Sequence, residues 1–141
     1  MGIRPVRRPL LNARHALGHT EIDKDHFAIA DSWLAAMNCR PLSLPFHVAR
    51  MRKLTRRHFA REVMLLEAAR RPFCPCHRRE HDTMLAMCDE IYALSEKDVR
   101  AARSLLRKLS VIMREHVIGM DQIAVLMINT SANSPVLPVQ R

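Results

Sequence analysis

Seven potential metal ligands fall in four separated groups along this chain, and three of those groups have near-helical spacing. The groups are His26, then His58 with Glu62, then His77 with His81, then His116 with Asp121. Glu62 follows His58 by four residues, and His81 follows His77 by four. A separation of four places two side chains on one face of an α-helix, one turn apart. His116 and Asp121 are five apart. An ideal helix sets such a pair about 140° apart, so this group needs a local distortion or side chains that wrap around a common centre. Ligands spaced this way can meet only if four helices pass through one layer.

Composition and periodicity supply four such helices. Only three glycines, one tryptophan and one tyrosine occur in 141 residues, and Ala, Leu and Met are abundant. That balance favours an all-α protein over a sheet protein. A first helix is expected over about 24–38, capped by Asp23, with Phe27, Ile29, Ala30, Trp33, Leu34 and Met37 as apolar positions. Prolines 41 and 45 mark a connection. A second helix is expected over about 46–70 and a third over about 76–93. Ser95, with Asp98 three residues on, reads as the capping pattern of a fourth helix. That helix should reach Asp121, with an extension into 122–128. Short links between four amphipathic helices predict an antiparallel up-down-up-down four-helix bundle. Residues 1–22, interrupted by Pro5, Pro9 and Gly18, read as an irregular N-terminal arm. The bundle is expected over 23–128, and 129–141 as a flexible tail.

Charge and cysteine usage narrow the setting. The formal net charge is +9, and eleven of the 23 Lys and Arg residues fall between Arg40 and Arg79. A basic stretch attracts acidic proteins, anionic lipid or nucleic acid. The interleaved aromatics of a single-strand-binding surface are absent, which argues against nucleic acid and leaves an acidic protein as the candidate partner. Cys39, Cys74, Cys76 and Cys88 do not have zinc-ribbon spacing and are expected as reduced thiols in a cytoplasmic protein. No secretory signal and no membrane-spanning run are read. Monomer and small homo-oligomer both stay open. Cys74-Pro75-Cys76 directly precedes His77; it lacks the common Cys-x-x-Cys redox spacing and reads first as incidental thiols.

Taken singly, each histidine has an ordinary structural explanation, and Met64, Met84, Met87, Met113 and Met120 read as packing. Taken together, five imidazoles and two carboxylates form a nitrogen- and oxygen-rich set that suits two iron ions better than calcium. One zinc ion usually needs only four ligands. Ferritin-like sites use more carboxylates and fewer histidines. His15, His19 and His47 stand outside the set.

The segments IDKDH at 22–26, HFAREVMLLE at 58–67, HRREH at 77–81 and HVIGMD at 116–121 make the chain resemble hemerythrin-like proteins of the single-domain bacterial type. The resemblance spans about residues 18–122. It implies a pair of non-haem irons joined by an oxo or hydroxo bridge. His77, His81 and His116 would complete one iron, His26 and His58 the other, and Glu62 and Asp121 would bridge them. It implies reversible dioxygen binding at the open position of the two-histidine iron, for oxygen carriage, storage or delivery. Ile29, Phe59, Ile112, Met113 and Val117 are expected to line the oxygen pocket. Two positions depart from the family pattern: Ile112 stands where a tryptophan is frequent, and Arg71 precedes Pro72 where a tyrosine is usual. The alternatives are an oxygen, redox or nitric-oxide sensor acting through a separate partner, and a di-iron peroxidase or nitric-oxide reductase. No acid–base constellation beyond the ligands is evident, so a non-enzymatic oxygen binder is the preferred expectation.

Overall fold

A computed structural model describes residues 4–132. The expected flexible tail lies, from residue 133 on, outside the described residues. The chain forms helices α1 (Thr20–Asn38), α2 (Leu44–Ala68), α3 (Pro75–Ser95), α4 (Val99–His116) and α5 (Gln122–Ala132). Two short 3-10 turns lie at Ala13–His15 and Pro41–Ser43. A π-helical turn, Val117–Asp121, joins α4 to α5, so the two make one long rod. The fold is an all-α four-helix bundle with additional N-terminal elements.

Local chemistry sets the helix ends, and it differs from the sequence expectation at two caps. α1 begins at Thr20, not after Asp23, because the His19 Nδ1 accepts the Ile22 N–H at 3.3 Å. Asp23 is already inside the helix. Its carboxylate turns back and accepts the N–H groups of Leu17 (2.7 Å) and Gly18 (3.1 Å). Gly18 has φ +85°, a conformation that glycine adopts without a Cβ penalty. Ser95 does not cap α4. It is the last residue of α3, and its hydroxyl donates to the Tyr92 carbonyl at 2.6 Å. Asp98 takes the cap instead, accepting the Ala101 N–H at 3.0 Å. Pro45 and Pro75 fit the first turns of α2 and α3, where no N–H partner is needed.

The end of α2 is closed by a Schellman arrangement. The Arg71 N–H reaches Leu66 O and the Arg70 N–H reaches Glu67 O, both at 2.9 Å. Arg70 adopts φ +54° to do this, a left-handed conformation unfavourable for a residue with a Cβ.

Apolar stripes from all four helices meet along the bundle axis. Ile29, Trp33 and Ala36 of α1, Val48 and Met51 of α2, Met84, Cys88 and Ile91 of α3, and Ala102, Leu106 and Leu109 of α4 are buried together. Trp33 Nε1 donates to Leu106 O at 2.9 Å, tying α1 to α4. A second cluster of Ile22, Leu66, Ala124, Val125 and Ile128 closes the end where α5 packs. No helix among the described residues is long and apolar enough to cross a membrane.

The N-terminal arm is irregular but fastened. Val6 N–H donates to Asn38 Oδ1 (2.7 Å), and Asn38 Nδ2 returns a bond to Val6 O (2.8 Å). Arg114 Nε donates to Leu10 O at 3.1 Å. Between these ties Leu10 and Leu11 enter the core. Each buried leucine contributes about 1.5–3 kcal/mol.

Candidate metal centre

The ligand groups meet near the end of the bundle where α1 and α3 begin and α2 and α4 finish. His26 lies two turns into α1, His58 and Glu62 lie in the second half of α2, and His77 and His81 open α3. His116 ends α4, and Asp121 ends the π turn. All seven side chains are buried.

The π turn resolves the five-residue spacing. The Gln122 N–H reaches Val117 O, five residues back. In a turn hydrogen-bonded i→i+5, residues five apart stack one above the other rather than about 140° apart. Asp121 therefore faces the same centre as His116, and their Oδ1 and Nε2 atoms approach to 2.8 Å.

Asp121 divides the histidines into two sets. Its Oδ2 lies 2.8 Å from His26 Nε2 and 3.5 Å from His58 Nε2. Its Oδ1 lies 2.8 Å from His116 Nε2 and 3.3 Å from His77 Nε2. Glu62 also reaches both sets, but through one shared oxygen rather than one oxygen for each. Its Oε1 is 3.0 Å from His77 Nε2, while Oε2 is 3.5 Å from His81 Nε2 and 3.6 Å from His58 Nε2. The Nε2 atoms of His26 and His58 are themselves 3.0 Å apart. Two groups of donor atoms each fall within 4.8 Å of one another: Glu62, His77, His81, His116 and Asp121 in one, and His26, His58 and Asp121 in the other.

Without cations this cluster is electrostatically unfinished. Burial raises the cost of the Asp121 charge, yet the imidazoles of His116, His26, His58 and His77 hold its carboxyl well below the usual range. Glu62 is lowered too, because His77 and His81 outweigh its burial. Burial opposes charge on His58 and His77, but the carboxylates win and push both up to about 9. Burial prevails at His81, which is lowered. Both Glu62 oxygens and the Nε2 atoms of His81 and His116 form no hydrogen bond of acceptable geometry despite their close neighbours. Buried polar atoms left this way are costly unless a cation satisfies them. Two donor groups sharing a carboxylate, rich in imidazole and poor in thiolate, are consistent with a non-haem di-iron centre.

Carboxylates outside the cluster aim two of the rings. Glu80 Oε2 lies 2.6 Å from His116 Nδ1. Asp25 Oδ2 lies 3.4 Å from His58 Nδ1 and accepts from Arg61 Nε at 2.7 Å. Such partners fix ring orientation and tautomer. Sequence reasoning missed both. Each stands directly before a ligand histidine, Asp25 before His26 and Glu80 before His81, and serves a histidine of the neighbouring helix. Phe59 stacks on His81, with ring centroids 3.7 Å apart and planes 5° from parallel.

An apolar cavity of about 10 Å³ adjoins the His26–His58 side. That is close to the smallest space that admits one water-sized guest. Its walls include Ile29, Phe59, Met113 and Val117, and also Leu11 from the arm, which sequence reasoning did not single out. Ile112 does not line it. One residue before Met113 puts it about 100° off the buried stripe, and it is 36% exposed beside Cys76, Arg79 and Glu80 of α3. His15, His19 and His47 take no part in either donor group.

No family model matches the chain, and no solved structure matches it. A 66-residue stretch, 46% of the chain, is 39% identical to the bacteriohemerythrin of Ralstonia nicotianae (strain ATCC BAA-1114 / GMI1000). The match spans 48% of that protein, about half its length. Over that stretch the chain is similar to bacteriohemerythrin, and its two donor groups lie together inside a four-helix bundle.

Proposed function

We propose that the chain binds dioxygen reversibly at a non-haem di-iron centre, as a non-enzymatic oxygen binder serving carriage, storage or delivery. His77, His81 and His116 hold one iron, His26 and His58 the other, and Glu62 and Asp121 bridge them. The observation that carries this reading is the split of the Asp121 oxygens between an imidazole pair and a larger histidine set, with a small apolar cavity beside the pair. An iron pair supplies, when bound, a reversible two-electron store and an open coordination position.

The side chains determine what that chemistry can become. Leu11, Ile29, Phe59, Met113 and Val117 exclude bulk water from the guest position. Among the described residues, no titratable side chain other than the ligands themselves lines the cavity, so none of them is a separate proton donor for onward reduction. Glu80 holds the outward nitrogen of His116 and Asp25 stands 3.4 Å from that of His58, so the inward nitrogens of both rings face the metal position. The four free thiols fit a cytoplasmic setting. The basic 40–79 stretch provides a surface for an acidic protein partner.

The test is anaerobic iron loading, metal analysis on the same sample, then absorption during oxygen mixing and removal. Two irons per chain with a band that forms and reverses supports the proposal. Two irons with immediate irreversible oxidation transfers the assignment to a sensor or redox enzyme, and failure to hold two irons removes the centre altogether.

A further inference from the structure

A second cavity, of about 770 Å³, opens at the other end of the bundle, where α1 ends and α4 begins. Its size falls in the range of small-molecule sites. Four arginines stand around it, Arg4 from the arm and Arg100, Arg103 and Arg107 from α4. The α4 residues are spaced three and four apart, so they form one stripe along the helix. Among the described residues no carboxylate lines the cavity. None of the four arginines forms an ion pair among the described residues, although the chain pairs Arg52, Arg56 and Arg61 elsewhere. Arg103 is held from below, donating through Nη2 to the Cys39 carbonyl, while its buried Nε has no partner. The floor is apolar and includes Val6 and Met37.

We propose that this cavity binds a small organic phosphate, a phosphate group carried on an apolar body. Guanidiniums free of ion pairs, one from the arm and three from α4, match the several oxygens of a phosphate, which takes paired N–H donors from each. The apolar floor accepts the body. A concave cavity of this size fits a small molecule better than the flat surface of a macromolecule. The site is separate from the metal centre: Arg107 precedes His116 by nine residues, about 14 Å along α4. The inference does not depend on what the metal centre binds.

The experiment titrates the full chain with phenyl phosphate, following calorimetry and the methyl resonances of its methionines. Expected is 1:1 saturation with a dissociation constant on the order of 0.1–1 mM. The Met37 methyl should move while those of Met51 and Met84, away from the cavity, stay fixed. Inorganic phosphate should bind about tenfold more weakly, for lack of an apolar body to bury. Arg100→Gln with Arg107→Gln should weaken phenyl phosphate by at least about tenfold. Both side chains are exposed, so the fold and iron content should not change. Arg50→Gln with Arg57→Gln removes the same charge from another surface and should leave binding intact. Any of four results overturns the proposal: no saturation by about 10 mM, equal affinity for inorganic phosphate, equal loss in the Arg50/Arg57 control, or a Met37 methyl that does not respond. Tight binding of an acidic peptide at the arginine stripe without phenyl phosphate binding would likewise replace it with a protein interface.

Discussion

Replacing Leu11 by alanine separates the arm's two roles, stabilising the bundle and shielding the guest cavity. Leu11 is 3% exposed and belongs both to the main core and to the wall beside His26 and His58. Leu→Ala changes in packed cores cost about 2–5 kcal/mol. The lower half of that range applies here, because the neighbouring arm is irregular and can relax into the space. The ties at Val6–Asn38 and Arg114–Leu10 leave the arm in place. The cavity then grows from about 10 Å³ to a space that admits additional water, each molecule needing about 10–15 Å³ on the same measure. Water that stabilises escaping charge by about 1–2 kcal/mol speeds irreversible oxidation by about 5–30-fold. The assay pairs urea unfolding of the iron-loaded chain with the decay rate of its oxygenated absorption band. Leu11→Ile, which retains volume, should restore most of both. A Leu11→Ala chain that loses stability but decays at the original rate would refute the shielding argument. One that decays faster without losing stability would refute the packing argument.

Three further outcomes follow from the structure. Arg70→Gly should raise stability by about 0.5–1 kcal/mol, because glycine takes the φ +54° conformation without a Cβ penalty; an unchanged urea midpoint would count against strain at that cap. Glu80→Gln should leave the fold intact but weaken iron binding by about 10–100-fold, since it loosens the His116 ring; competition against a chelator measures it, and wild-type affinity would remove Glu80 from the centre. In the metal-free chain His58 and His77 stay protonated up to about 9, above their ordinary value of 6.5. Their contribution to stability is therefore complete below pH 6.5 and is lost as pH rises through about 9. Metal must displace those protons, so iron affinity should climb across the same window as metal-free stability falls. Parallel unfolding midpoints with and without iron test this, and parallel slopes for the two forms would defeat it.

How far the sequence reached depended on whether periodicity carried the information. Ligand pairs four apart, on helices with strong apolar stripes, could be placed before any coordinates. The His116–Asp121 spacing announced a distortion without saying which kind, because a five-residue gap is met equally by wrapped side chains or by a π turn. The caps at Asp23 and Ser95 misled for a common reason. Each side chain had a competing backbone partner nearby, at Leu17 and Tyr92, and local residue preference does not rank those partners. Leu10 and Leu11 lie among prolines and arginines with no repeat to reveal them, so their burial depends on tertiary contacts alone. Ile112 failed as a pocket residue because its phase is one step off the stripe. Asp25 and Glu80 act across helix boundaries, where spacing along a single helix says nothing.

The π turn also makes the chain unequally tolerant of changes in length. Between His116 and Asp121 it holds one residue more than an α-helical turn needs. Deleting Gly119 would leave the pair four apart, the same interval as His58 and Glu62, and still in phase. Among the described residues, a Cβ at position 119 would meet nothing within 4 Å, so none of them packs against that residue to hold it in place. Ala124, Val125 and Ile128 stand three, four and seven residues after Asp121 and would travel with it as a unit, keeping their face to the core. An added residue has no such escape. It would set the pair six apart, about 120° out of phase on an α-helix, and carry the whole of α5 with it. In this chain, shortening the segment is therefore the length change expected to keep the donor groups together, and the iron content of a Gly119 deletion is the direct check.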